Sequence, residues 1–152
     1  CKPKNPLCEE CPLQENCLAF SLQKTSYFPV KTKKVKAEDL QLTYYFVHRN
    51  GQFLIQQRKD DFIWKKLYEF SPVISDELMQ FIKSVKTVNH KLTHKNLNIE
   101  IFNVEVDSEE VWKNFTAEND FIVTDVEGAH ERSFPKPLEN YIQSYDTAYK
   151  IL

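Results

Sequence analysis

Four cysteines open the chain in the order C-x6-C-x2-C-x5-C, at Cys1, Cys8, Cys11 and Cys17, and none follows. Thiols crowded in this way have three kinds of chemistry open to them. A disulfide framework spreads its cysteines along the whole fold, whereas residues 18–152 hold none. Structural zinc is gripped by short C-x2-C knuckles, of which Cys8–Cys11 is one, with looser arms on either side. An iron–sulfur cube takes four thiolates and suits a single wrapping loop. Pro3, Pro6 and Pro12 would stiffen such a loop. Spacing alone leaves zinc and the cluster as equals.

Other chemistry is excluded early. Only Gly51 and Gly128 occur, so no glycine-rich loop can cradle a phosphate. The 20 basic and 22 acidic residues give a net charge of −2, which does not by itself announce a nucleic-acid binder. The distribution is uneven, however. KTKKVK at 31–36 is strongly basic, and 105–120 is rich in Asp and Glu. At 41% hydrophobic and 28% charged residues, a chain of 152 can bury one core. No apolar run approaches the ~20 residues of a membrane helix. With no initiating Met and no signal pattern, an excised fragment or a processed chain is expected.

The elements that must position these residues read as α+β. QLTYYFV at 41–47 and FLIQQ at 53–57 are strand-like, and Asn50-Gly51 between them is a hairpin signal. A short strand is expected over 66–71. A helix is expected over 76–85, capped by Ser75, with Asp76 and Glu77 in its first turn and Leu78, Met79, Ile82 and Val85 on one face. Residues 86–94 and 97–106 form a second hairpin, and 121–126 a further strand. A last helix after Pro135 and Pro137 presents Leu138, Tyr141, Ile142, Tyr145, Tyr149 and Leu152 together. Phe46, Phe53, Phe70, Phe102 and Phe121 fall in strand patterns and are expected in the core. The sheet should be mixed and mainly antiparallel. Residues 21–38, polar and basic, read as a linker. Its Lys31, Lys33, Lys34 and Lys36 either sit in solvent or give salt-dependent phosphate contacts.

Two stretches carry family resemblances. The cysteine run, with Pro12 after the third cysteine and CLAF around the fourth, resembles the [4Fe–4S] loop of the endonuclease III and MutY glycosylases. The resemblance implies that Cys1, Cys8, Cys11 and Cys17 each ligate one iron. It also implies a helical catalytic domain upstream, so that no catalytic residue lies here. FLIQQRKDDFIWKKLYEF resembles the MutT-like, or Nudix-like, domain that MutY glycosylases carry after the cluster, with Gln57-Arg58, Trp64, Leu67, Tyr68, Glu69 and Phe70 matching. The implied organisation is a cluster loop at 1–20, a linker at 21–38 and a Nudix-like domain at 39–152.

A working Nudix hydrolase needs clustered carboxylates to hold Mg2+, in the pattern G-x5-E-x7-R-E-U-x-E-E-x-G-U, where U is a bulky aliphatic residue. Gly51 leads to Gln57 and Gly128 to Phe134, and Glu109-Glu110 lacks the preceding Arg-Glu. Binding is therefore expected in place of hydrolysis. The resemblance assigns the domain to reading 8-oxoguanine opposite adenine in duplex DNA, through a loop that reads Phe-Ser-His in the family. Here HKLTHKN gives Leu92 as apolar wedge, Thr93 as hydroxyl and His94, flanked by Lys91 and Lys95 for phosphates. Oxidation turns N7 of guanine from an acceptor into a donor, and a hydroxyl oxygen can accept from it. His90 reads as ordinary surface. The implied parent is a bacterial cytoplasmic, nucleoid-associated A/G-specific adenine DNA glycosylase acting in base-excision repair, as a monomer. A module docking repair partners, partly through the linker, is the alternative.

Overall fold

The computed structural model describes residues 2, 4–28, 30 and 36–149. It divides into two compact units, Cys1–Lys36 and Ala37–Leu152. In the first unit, a helix α1 (Leu18–Ser21) and one 3₁₀ turn (Thr25–Tyr27) follow a series of tight turns.

The second unit begins with a hairpin of β1 (Glu38–Arg49) and β2 (Gln52–Gln57). Asn50 and Gly51 take φ of 49° and 79°, as a turn needs when its twist must match the strands beside it. Two residue pairs join the strands, His48 with Phe53 and Arg49 with Gln52. Then β2 turns away, to pair with β6 (Ile122–Thr124) and β3 (Tyr68–Glu69). β1 instead runs parallel to β5 (Lys95–Glu105), in register from Glu38–Lys95 to His48–Glu105. With β4 (Ile82–Lys91) antiparallel to β5, the sheet order is β3-β2-β1-β5-β4. The sheet is mixed, and antiparallel in all but the β1–β5 pair.

Alternate residues of β1 feed two cores. On one face Tyr44 and Phe46 join Phe53, Phe70, Ile99 and Ile101, closed over by Leu138, Tyr141 and Ile142 of α5 (Lys136–Tyr149). On the other, Val47, Leu54 and Val104 meet Trp112 and Phe115 of α3 (Glu109–Glu118). The Phe46 ring meets five others, with centroids 4.8–5.2 Å away at His48, Phe53, Phe70, Tyr141 and Tyr145. Phe46, Phe53 and Phe70 are fully buried, while Phe102 and Phe121 pack half-buried against the second cluster. Tyr145 also lies on the expected face of α5, whereas the Tyr149 side chain and Leu152 fall outside the described residues.

Three expectations need correction. The helix over 76–85 is only α2 (Asp76–Met79), and Ile82 and Val85 belong to β4. Along the β4–β5 hairpin Ile82 pairs with Val104 and Val85 with Phe102, so these β-branched residues join the edge of a sheet built from remote sequence. The Ser75 hydroxyl caps nothing; its carbonyl accepts the Leu78 N–H. Within the acidic stretch α3 forms, where the Ser108 hydroxyl accepts the Val111 N–H and Lys113 pairs with Glu109 at 2.6 Å. The strand over 121–126 stops at Thr124, because Asp125 accepts the Gly128 N–H at 2.8 Å and caps α4 (Val126–His130). Among the described residues no helix is long and apolar enough to cross a membrane.

Candidate nucleic-acid interface and thiol cavity

Successive turns in the first unit share one span. The N–H of Cys11 donates to the Cys8 carbonyl at 3.1 Å, Gln14 to Cys11 at 3.0 Å, Cys17 to Gln14 at 3.1 Å and Phe20 to Cys17 at 3.0 Å. Side chains three residues apart eclipse in such turns. Cys8, Cys11, Gln14, Cys17 and Phe20 accordingly line one cavity of about 480 Å³, with Leu7 and Phe28 among its apolar walls. The three thiols are free and half-buried. Cys1 lies outside the described residues. Among those described, no three His, Cys, Asp or Glu side chains converge on a single metal position. A cube with outward-facing irons needs thiolates around it rather than thiolates meeting at a point. Soft donors in an apolar cavity suit iron–sulfur chemistry and disfavour hard cations. The residues fit: Cys8, Cys11 and Cys17 would each hold an iron, and the cluster would cross-link turns that bury little of their own.

In the second unit the β4–β5 connection is a three-residue tip, Leu92, Thr93 and His94, pinned on both sides. The Leu92 N–H donates to the Lys95 carbonyl at 2.8 Å, and the Glu38 N–H to the His94 carbonyl at 3.1 Å. Lys95 pairs with Glu38 at 2.9 Å, and this ammonium holds the exposed Glu38 carboxyl below the usual range. Leu92 is half-buried against the first core cluster, so part of the expected wedge is committed to packing. Thr93 and His94 are exposed, and the Thr93 hydroxyl has no partner among the described residues. Lys91 points into solvent, unpaired among the described residues, while Lys95 is spoken for by Glu38. Lys36 is exposed, and Lys31, Lys33 and Lys34 lie outside the described residues. His90 is half-buried, its ring 6.3 Å from that of Trp64.

The residues of the QQR and YEF segments build a polar node beside the sheet edge. Glu69, with a side chain 6% exposed, accepts from Arg58 Nη1 at 2.7 Å and from the Tyr44 hydroxyl at 2.9 Å through Oε2. Its Oε1 accepts from Gln56 at 3.1 Å. The Arg58 Nε and Nη2 donate to the two oxygens of Asp60, at 2.8 and 3.0 Å. That guanidinium keeps the exposed Asp60 carboxyl low. Burial, and then the Glu69 charge, push the Tyr44 phenol up. Arg58 therefore anchors the loop that follows it, 58–67. The sequence reading passed over that loop and its exposed Phe62; an aromatic set between Lys59, Lys65 and Lys66 was the available signal.

The NUDIX domain model matches residues 43–144, and that of the iron-sulfur binding domain of endonuclease III matches residues 1–17. The chain is 25% identical over 159 residues to the adenine DNA glycosylase of Buchnera aphidicola subsp. Schizaphis graminum (strain Sg), covering 95% of this chain and 45% of the relative. It is 32% identical over 114 residues to the adenine DNA glycosylase of Buchnera aphidicola subsp. Baizongia pistaciae (strain Bp), covering 65% of this chain and 32% of that one. It thus spans less than half the length of these curated relatives. With the match at 43–144 taking in most of the chain, and with a mixed sheet between helices beneath it, the protein belongs to the NUDIX domain family.

Proposed function

We propose that this chain is the lesion-recognition region of an adenine DNA glycosylase that removes adenine opposite 8-oxoguanine, with the catalytic acid and stabilising carboxylate outside these residues. Such a parent would work as a monomer on chromosomal DNA in the bacterial cytoplasm and flip the adenine out of the stack. This region would hold the partner base. The observation carrying the reading is the Thr93 hydroxyl, exposed on a tip pinned at Leu92, His94 and Lys95 and unpaired among the described residues. Its oxygen can accept from N7–H of 8-oxoguanine, whereas at N7 of guanine the same hydroxyl would have to rotate and donate its proton to the lone pair. One such contact is worth roughly 1–3 kcal/mol of discrimination. Lys91, exposed beside the tip, would meet a phosphate. In the cysteine segment, a [4Fe–4S] cluster on Cys1, Cys8, Cys11 and Cys17 would organise the loop. Binding is favoured over pyrophosphate hydrolysis because the carboxylate pattern is missing from the sequence and the stretch after Met79 folds as β4.

The test is duplex affinity in the full-length protein that carries these residues, with 8-oxoguanine or guanine opposite adenine. Thr93→Ala and Thr93→Val should cut the preference for the lesion by about tenfold, or ~1.4 kcal/mol, and Thr93→Ser should keep it. Unchanged preference in Ala and Val removes Thr93 as the reader. Equal affinity for both duplexes in the unaltered protein favours a partner-docking module instead.

A further inference from the structure

The loop 58–67 is organised to hold an aromatic ring in water. Its neck is closed by the Arg58 N–H donating to the Leu67 carbonyl at 2.9 Å and the Lys66 N–H to the Arg58 carbonyl at 3.3 Å. The Gln57 amide donates to the Lys66 carbonyl at 3.0 Å. Asp60, held by both arms of Arg58, accepts the Phe62 N–H at 3.3 Å, and Lys65 pairs with Asp61. Trp64 and Lys66 sit at φ of 64° and 66°, left-handed positions that a bulky side chain takes only when its surroundings enforce them. Trp64 packs inward against the core. Phe62, two residues earlier, remains 46% exposed. A lone exposed aromatic is ordinary, but one displayed by this many fixed contacts has been oriented before any partner arrives.

The ring stands beside the candidate reading tip. The Lys95 ammonium lies 4.9 Å from its centroid, and Lys95 adjoins His94; Trp64 faces His90 from the same loop. The wedge position of the tip offers no ring, since Leu92 occupies it and leans on the core; the ring the tip does carry is the exposed imidazole of His94. Lys66 and Lys91, both exposed, have no counter-ion among the described residues. The pairs Lys65–Asp61 and Lys95–Glu38 lie at the surface, where exchanging a carboxylate for a phosphate costs little. An aromatic face flanked by cations matches a stacked base between phosphates.

We infer that Phe62 is a second DNA-contacting group: its ring stacks on a base beside the damaged purine, supplying the aromatic surface absent at Leu92, while Lys66 and Lys91 take the adjoining phosphates. This rests on the reading that the tip binds lesion duplex. Stacking tolerates any base, so Phe62 sets affinity and Thr93 sets preference. The experiment measures binding of 8-oxoguanine:adenine and guanine:adenine duplexes by the full-length protein carrying Phe62→Ala, Phe62→Leu, Phe62→Trp or Thr93→Ala. Phe62→Ala and Phe62→Leu should weaken both duplexes by about tenfold with their ratio unchanged, and Thr93→Ala should lower the ratio. Phe62→Trp should retain binding and show indole emission quenched by DNA. Full affinity in Phe62→Ala, or affinity kept by Phe62→Leu, overturns stacking while leaving the tip as reader. A protein with no lesion preference to lose overturns both.

Discussion

The described residues of the first unit and those of the second differ in how much they bury. In the first stretch no described residue is fully buried, and Leu13, Leu18, Tyr27 and Val30 are each more than two-thirds exposed. In the second, Phe46, Phe53 and Phe70 have no exposure at all, and helices close both faces of one sheet. A segment of fewer than ~40 residues rarely supplies its own core and usually depends on a metal, a disulfide or a partner. A cluster held by the three thiols that line the cavity would supply what burial does not. The candidate reading tip, by contrast, stands on a strand pair anchored in a packed interior. Chemical attack on the thiols and mutation of the core should therefore separate the two units.

The largest expected effect falls on the first unit. Cys11→Ser should abolish bound iron and the brown charge-transfer absorbance and make residues 4–28 susceptible to protease. Both tryptophans, Trp64 and Trp112, lie in the second unit, so the urea midpoint read by their fluorescence should not move. Stoichiometric zinc with no iron in the unaltered protein would sink the cluster, and a shifted midpoint would break the separation. The reciprocal change is Arg58→Met. It leaves the buried Glu69 carboxylate facing only Tyr44 and Gln56, and stripping one partner from a buried ion pair costs about 3–5 kcal/mol. The tryptophan midpoint should drop sharply while iron content holds. A drop below ~1 kcal/mol would mean that water reaches Glu69 once Arg58 is gone.

The same contrast explains what could be read in advance. The Asn50-Gly51 turn and the part of the α5 face at Leu138, Tyr141, Ile142 and Tyr145 are local patterns that formed as expected, and the spacing of Cys8, Cys11 and Cys17 brings them to one cavity. The helix expected over 76–85 stops at Met79 because Ile82 and Val85 pair in β4 with Val104 and Phe102 of β5, partners remote in sequence. α3 was legible from Ser108, Glu109 and the apolar Val111, Trp112 and Phe115, but the acidic composition masked its period. Thr93 could be placed on a tip. That Leu92 would lean inward and Phe62 stand outside it depended on how two loops meet, through Lys95 and Trp64. Nothing in either loop alone carries that.

The smallest expected effect is a pH dependence within the second unit. His48 is 7% exposed, its ring against those of Phe46 and Tyr145 at 5.2 and 5.1 Å. Nε2 donates to the Asn103 side-chain oxygen at 2.7 Å, and Nδ1 faces the Tyr145 hydroxyl at 3.4 Å. Burial pulls its pKa below the ordinary 6.5, against the opposing pull of Asn103 and the Glu105 charge. As pH falls through 6.5 the unfolded chain takes up a proton that the folded one refuses, so stability declines; above 6.5 the contribution is complete. Asp60, Glu38 and Glu109 are shifted the other way, below their ordinary 3.8 and 4.5, so what they contribute is lost only in more acid solution. The tryptophan-monitored urea midpoint should therefore be lower at pH 5 than at pH 7.5, and His48→Gln should flatten that slope. A slope unchanged in His48→Gln would assign the proton to another group and leave the packing around Phe46 without a role in it.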